Sequence, residues 1–350
     1  MEKSNRPSFF DLAQQGRKSK TRDFLRNVDQ IIDWRPIQNI IHKHYTKGHS
    51  ASGQPSVAGL VLFKMLLLQT WYGLSDYQVE DRVNDSLAFT EFIGIPLDFA
   101  SPDHSLVSKF RTELTKTKAF EKLFKEVTKQ LMKKGIIVKE GAIVDATLTR
   151  SPRSPKGKAT YEITNDREDP KDPEQEKEQL KLVKVKQPGV DDEARWVYKG
   201  GDFTFGYKSH AVSDPNGLFI KIHTTEANVN EISNLEEVLA NVPIEKGARL
   251  FGDKGYRSKK NEKLLKKMGL KNGIMHKKSR GKSLSRAKQE MNAFITQHRY
   301  PIKRSFGGIK HWFNSGVARY VGLEKTHTQH LMEAIAYNLK RSPGIVMSMS

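Results

Sequence analysis

The chain has 350 residues, a formal net charge of +20 and no cysteine. This length accommodates two modest domains or one large one, and the lack of cysteine excludes disulfides and cysteine-ligated metal centres. The apolar runs are too short to span a bilayer, so the composition is typical of a cytoplasmic protein with no membrane segment.

The positive charge is concentrated in one stretch of the chain. Residues 254–310 contain 18 Lys and Arg and 2 acids, a balance of 18 − 2 = +16. A basic surface of this kind is typical of proteins that bind nucleic acid, because it neutralises phosphates. The competing interpretation is a solvated face that serves solubility alone.

The first part of the chain has helical periodicity. Residues 1–20 are polar and predicted to be a flexible N-terminus, and residues 21–134 are predicted to form an all-α domain of four to six helices. Within it, the sequence SPDHS at 101–105 indicates a turn. We interpret its His104 as a cap or turn residue rather than a catalytic one.

The pattern changes to an alternation of strands and helices over 135–341. Strands are predicted at 136–148, 202–212, 218–225, 248–251 and 271–275, and the order of elements favours a mixed α/β sheet flanked by helices. Residues 151–194 are charged and are predicted to be an exposed or disordered insertion, with one short helix near 173–182. Pro301 is expected to kink or divide a helix that begins near 283. A last helix is predicted at 328–341, followed by a tail at 342–350.

Two aspartates lie where this sheet would present them together. Asp145 sits on the first predicted strand and Asp253 follows a later one, and side chains at strand ends of such sheets collect at one site. Carboxylates are ligands for Mg²⁺ in phosphate chemistry. On spacing alone this signal is weak, since aspartate is also common in caps and loops.

Several stretches together resemble one family, the bacterial DDE insertion-sequence transposases of the group around insertion sequence five. The resemblance extends over nearly the whole chain. It is carried by LLQTWYGLSD (67–76), SPDHS (101–105) with Phe110 and Arg111, IVDAT (143–147), FGYKSH (205–210), TTEANV (224–229), FGDKGY (251–256), RSFGGIK (304–310) and RYVGL (319–323).

The resemblance implies an RNase H-like catalytic domain with Asp145 and Asp253 as catalytic and metal-binding acids. It implies cleavage of element ends with Mg²⁺, for which Mn²⁺ can substitute, and strand transfer into target DNA. The implied partners are terminal inverted repeats, a target duplex and a second copy of the chain on DNA, in the bacterial nucleoid. The implied DNA-binding residues are Lys208, His210, Arg299, Arg304 and Lys310. The role of the all-α domain at 21–134, binding DNA or forming dimers, is likewise implied by the resemblance rather than by the periodicity.

The chain departs from the family at its third acid. The family signature is Tyr, two residues, Arg, three residues, Glu, six residues, Lys; Arg299 and Lys310 match it, whereas Thr296 replaces Tyr and Lys303 replaces Glu. A lysine ammonium has no lone pair with which to ligate a metal. The chain is therefore expected to be a transposase with impaired catalysis.

Other interpretations stay open at this point. Lys303 can mark a decayed transposase, a chain retained for binding DNA, or a substitution particular to this sequence. The alternative function is a DNA-binding protein that recognises inverted repeats without cutting them. A metal-dependent nuclease unrelated to transposition uses the same acids but leaves the matching N-terminal stretches unexplained.

Overall fold

The computed structural model describes residues 19–45, 57–157, 161–165, 180–184, 187–278, 281 and 283–349. Almost all of the N-terminus that was expected to be flexible lies outside these residues. The first described element, α1, begins at Lys20, after Ser19, whose side chain accepts a hydrogen bond from the amide of Arg22.

The described residues before 135 are helical, as predicted, and form seven helices rather than four to six. Side-chain caps account for several of their boundaries: Ser75 and Gln78 form a capping box, and Asp103 caps the helix that begins at His104. His104 is thus a helix-start residue, and its Nδ1 lies 2.8 Å from Glu80 Oε2. The helices are α1 Lys20–Ile31, α2 Trp34–His44, α3 Gly59–Tyr72, α4 Asp76–Asp85, α5 Leu87–Ile93, α6 His104–Lys116 and α7 Ala119–Lys133.

The second half of the chain forms a mixed sheet. Its strands are β1 Gly141–Arg150, β4 Arg195–Lys199, β5 Asp202–Ser213, β6 Phe219–Glu226, β7 Arg249–Gly252 and β8 Lys271–Ile274, and β2 Tyr161–Asn165 with β3 Leu180–Lys184 forms a separate antiparallel pair. β5 runs antiparallel to β1 on one side, and β7 runs parallel to β1 on the other, followed by parallel β8. β4 and β6 pair with successive halves of β5. This is the RNase H-like arrangement that the resemblance implied.

Helices cover both faces of this sheet, because its strands alternate apolar residues toward each side. The helices are α8 Glu231–Leu239, α9 Lys259–Lys267, α10 Arg286–His298, α11 Tyr300–Trp312 and α12 Leu323–Met349. On one face, Val144 and Leu250 pack in a cluster with residues of α8 and α9. On the other, Ile143 and Ala211 belong to a cluster that includes residues of α11 and α12.

The two halves of the chain share one hydrophobic core. α3 is buried along most of its length, and the same cluster contains residues of α12 and of β6. Trp71 in α3 donates a hydrogen bond to the carbonyl of Ala336 at 2.8 Å. The helical half is therefore packed directly against the long last helix of the sheet domain.

Two predicted segments differ from the structure. Most of the helix expected near 173–182 lies outside the described residues, and its end at 180–182 is part of strand β3. The tail expected at 342–350 instead continues α12 through Pro343 to Met349. Ser342 Oγ donates to the carbonyl of Asn338 at 2.7 Å, so side-chain bonding occurs where proline interrupts the backbone pattern. No helix in the described ranges is both long and apolar enough to cross a membrane.

Candidate active site

The two predicted acids lie side by side at one end of the sheet. In the parallel pairing of β1 with β7, Val144 is opposite Gly252. Asp145 is the residue after Val144, and Asp253 is the residue after Gly252. Strand pairing therefore brings together two residues that are more than a hundred positions apart in the sequence. Asp145 also accepts a hydrogen bond from the amide of Ala146 at 2.9 Å, which fixes one of its carboxylate oxygens.

A single guanidinium joins the two carboxylates. Arg299 Nη2 donates to Asp145 Oδ2 at 2.9 Å, and its Nη1 donates to Asp253 Oδ1 at 3.2 Å. The Arg299 side chain is 4% exposed, against 16% for Asp145 and 40% for Asp253. Arg299 therefore acts as the counter-ion of both acids at the same time, in a position that water reaches poorly.

The position of Arg299 is set by the end of one helix and the start of another. Its amide donates to Ile295 O at 3.0 Å as the last bond of α10, and α11 begins at Tyr300 with Pro301 in its first turn. A proline there loses no hydrogen bond, because first-turn amides have no partner within the helix. The prediction that Pro301 divides the helix is confirmed, and the break aims Arg299 at the strand ends.

The start of α11 is anchored to a tight turn. Ser305 Oγ donates to Gly217 O at 2.6 Å, and it lies 2.9 Å from Pro301 O. Gly217 has φ +86°, and a Cβ on it would lie only 2.6 Å from Ser305 Oγ. The turn at 214–217 thus supports α11, which follows Arg299 directly and carries Lys303.

Burial and the guanidinium act on the carboxyl group of Asp145 in opposite directions. Burial raises the pKa of Asp145, and the nearby Arg299 opposes that rise. A metal ion does not fit between the carboxylates in this arrangement, because Arg299 already binds Asp145 Oδ2 and Asp253 Oδ1. A divalent ion there would require the guanidinium to move.

Lys303 lies one helical turn after Arg299 and is exposed. In the described part of the chain it makes no ion pair with Asp145 or Asp253, and the group between those acids is Arg299. The two glutamates that flank this region in the sequence have other surroundings: Glu290 is bound by Arg286 on α10, and Glu324 lies exposed at the start of α12.

Lys208 and His210 lie on β5 beside β1, as the resemblance implied, but both side chains are buried. Lys208 Nζ lies 3.2 Å from Glu231 Oε1 and donates to Val229 O at 2.7 Å. Burial lowers the pKa of His210 to about 3, so its imidazole is neutral at physiological pH. Their contact with DNA stays a prediction, and in this conformation both are internal.

Two residues of this region were missed by sequence reasoning. Tyr256 is buried, its hydroxyl lies 3.4 Å from His210 Nδ1, and burial together with the negative charge of Asp145 raises its pKa well above the usual value. Glu231 is the partner of both Lys208 and Lys199. Tyr256 is the last residue of the stretch 251–256 that resembles the family, and this position could have drawn attention to it. Glu231 lies just after the stretch 224–229 and outside it, so the resemblance gave no indication of its role.

Arg304 and Lys310 lie exposed on α11, where DNA could reach them. Arg304 Nη2 donates to Asn216 O at 3.3 Å, which ties it to the turn at 214–217. Of the five predicted DNA-binding residues, these two are surface residues. Arg299, Lys208 and His210 are bound to protein groups inside.

Comparisons with known proteins agree on one family. A transposase domain of the DUF772 family matches residues 13–113, and the family described as Transposase DDE domain matches residues 137–339. The chain is 30% identical over 236 residues to the transposase for insertion sequence element IS1106 from Neisseria meningitidis serogroup B, covering 67% of this chain and 76% of that protein.

A solved structure is also similar in outline. It is the cryo-EM structure of a piggyBac transposase synaptic complex with hairpin DNA, with 11% identity and a TM-score of 0.42 over 94% of this chain and 75% of that one. Transposase DDE domains generally use divalent metal ions. The family match covers more than half of the chain and contains both aspartates, and the chain accordingly belongs to the DDE transposases.

Proposed function

We propose that the chain is a DNA transposase of the group around insertion sequence five that cuts the ends of its own element with Mg²⁺ and joins them to target DNA. Asp145 and Asp253 are its catalytic acids, and Lys303 at the third-acid position lowers its rate. The observation that carries this proposal is the parallel pairing of β1 with β7, in which Val144 lies opposite Gly252 and the next residues are the two aspartates. Asp145 and Asp253 are far apart in sequence but lie next to each other, as one reaction centre requires.

The charge distribution supports DNA as the partner. The 57 residues from 254 to 310 carry 18 Lys and Arg against 2 acids, and they include most of α11 and the short 3-10 helix that follows Asp253. Phosphate contacts from exposed residues such as Arg304 and Lys310 would position a duplex beside the acids. Two element ends are cut together in this chemistry, so we propose a dimer on DNA, acting at the nucleoid.

The test is strand cleavage on duplexes that carry the inverted repeats flanking the coding sequence. With Mg²⁺ or Mn²⁺ the wild-type chain should nick at the repeat ends slowly, and Asp145→Asn should remove that product. A nick that persists in Asp145→Asn would contradict the proposal, because it would come from another site or a contaminant.

The second candidate function is a DNA-binding protein that recognises the repeats without cutting. Lys303 favours it, since an exposed ammonium replaces the carboxylate that the family signature places there. Arg299 favours it as well, because it neutralises part of the charge that would attract a metal ion.

Binding without cleavage would separate the two candidates. In a gel shift the affinity for repeats should fall steeply with salt, because phosphate contacts release counter-ions. Sequence-specific binding combined with no nick under any metal condition would favour the second candidate. Equal affinity for unrelated duplexes would remove the claim that the chain recognises its repeats.

A further inference from the structure

We infer that Arg299 is the resident cation of the acid pair and competes with divalent metal ions for it. The inference rests on the proposed role of Asp145 and Asp253 as the metal-binding acids. It adds that the position of the Arg299 side chain sets the affinity of the site for metal. While Arg299 is bound to Asp145 and Asp253, the two acids do not bind a divalent ion.

The geometry makes the two cations mutually exclusive. Arg299 donates to Asp145 Oδ2 and to Asp253 Oδ1, so one oxygen of each carboxylate is bound by the same guanidinium. A Mg²⁺ ion takes oxygen ligands at about 2.1 Å. An ion within that distance of both oxygens would occupy the volume of the guanidinium, and the two positive charges would repel.

The charge balance points the same way. Asp145 and Asp253 contribute two negative charges, and Arg299 cancels one of them at hydrogen-bond distance. With Lys303 in place of the third acid, no further carboxylate restores that charge at its position. The guanidinium is thus matched to a two-carboxylate site more closely than it would be to three.

The backbone of Arg299 is well anchored, whereas its side chain lacks one hydrogen-bond partner. The backbone is held by the end of α10 and by the Ser305 contacts with Gly217 and Pro301. The side-chain Nε is buried and has no hydrogen-bond partner within the described ranges. A buried donor without a partner is costly, so the side chain is not held as tightly as its two ion pairs alone suggest.

The experiment measures Mn²⁺ binding to the full-length chain, free of DNA, by electron paramagnetic resonance and by calorimetry. Arg299→Gln removes the charge and keeps hydrogen-bonding capacity, and it should bind Mn²⁺ at least about tenfold more tightly than wild type. Arg299→Lys keeps the charge and should stay close to wild type. Arg286→Gln is the matched control, because Arg286 is exposed on the preceding helix and pairs with Glu290 alone among the described residues.

A second variant assigns the ion to this site. Asp145→Asn added to Arg299→Gln should abolish the gain in affinity. Equal Mn²⁺ affinity in wild type and Arg299→Gln would overturn the inference, and so would a gain that survives Asp145→Asn.

Melting temperature keeps the test decisive if Arg299→Gln folds poorly. Ligands that bind only the folded state raise the melting temperature, so Mn²⁺ should raise that of Arg299→Gln by more than that of wild type. A smaller or equal rise would count against the inference.

The outcome is separate from the proposed function. Tighter Mn²⁺ binding by Arg299→Gln, with no cleavage by wild type, would support the competition and refute the transposase activity. Equal Mn²⁺ binding by Arg299→Gln and wild type, with cleavage by wild type, would refute the competition and support the transposase activity.

Discussion

Glu333 is a carboxyl group held inside the protein on α12. It accepts a hydrogen bond from Gln329 Nε2 at 2.8 Å, and its residue is 6% exposed. Burial raises the pKa of Glu333 from 4.5 to about 6. Because the folded-state pKa is raised, the protonated form favours folding; this contribution is complete below about pH 4.5 and is lost as the pH rises through 6.

We predict that Glu333→Gln stabilises the chain at neutral pH, since it keeps hydrogen-bonding groups and removes the charge. A rise of the pKa from 4.5 to about 6 corresponds to roughly 2 kcal/mol above pH 7. Urea unfolding at about pH 7.5 should show a gain of that order, and the gain should nearly vanish near pH 4.5. Glu324→Gln, exposed on the same helix, is the control. A gain that is the same at both pH values would show that the carboxyl group does not titrate as argued.

The site residues were predictable from the sequence to different degrees. The strand that carries Asp145 and the strand that ends just before Asp253 were predicted correctly, because the apolar runs there mark buried strands. Asp145 lies midway along β1 rather than at its end, and the pairing of the two strands was not visible in those runs. The contact of Arg299 with both acids was not predictable, since it depends on the angle at which α11 leaves α10. The burial of Lys208 and His210 was hidden for a similar reason, because alternation along β5 does not say which helix covers its polar side chains.

At the scale of elements, an ion pair within the helical half packs against the segment before α12. Arg111 in α6 donates to both oxygens of Asp76 in α4, at 2.9 Å and 2.7 Å, and its guanidinium lies 4.7 Å from the ring centre of Tyr320. Arg319 donates to Leu74 O at 3.0 Å. Three of the stretches that resemble the family therefore meet here, and they connect α4 and α6 to the segment before α12.

We predict that Asp76→Asn destabilises the chain by about 3 kcal/mol, because removing one partner leaves the other charge buried. The Arg111 side chain is 10% exposed, so it cannot recover full hydration without unpacking from Tyr320. Urea unfolding measures the loss. Glu290→Gln, which breaks the exposed pair with Arg286, should change stability by less than about 0.5 kcal/mol. An equally small effect of Asp76→Asn would show that this joint contributes little.

The element boundaries show where local sequence signals suffice. Caps such as Ser75 and Asp103, and the division at Pro301, were predictable because each acts within one turn of helix. The extension of α12 to Met349 was not, since a proline normally ends such a pattern.

At the scale of the whole molecule, the two regions that match transposase families form one body through a shared core. α12 packs against α3 as well as against β6, so it connects the helical half to the sheet. The order of strands was not derivable from periodicity, because pairing between β1 and β7 joins segments about a hundred residues apart. The RNase H-like arrangement was expected instead from the resemblance to DDE transposases, and the match to the family Transposase DDE domain over residues 137–339 supports that family.

We propose that the chain has the two aspartates of a DDE centre and lacks the third acid. The most direct test is cleavage of inverted-repeat duplexes by Lys303→Glu, compared with wild type and with Lys303→Gln. Residue 303 lies one helical turn after Arg299, the residue that contacts both aspartates. We predict that Lys303→Glu raises the nicking rate at least tenfold, that Lys303→Gln does not, and that the gain is lost when Asp145→Asn is added. Equal rates for Lys303→Glu and Lys303→Gln would contradict the claim that residue 303 holds the place of the third acid.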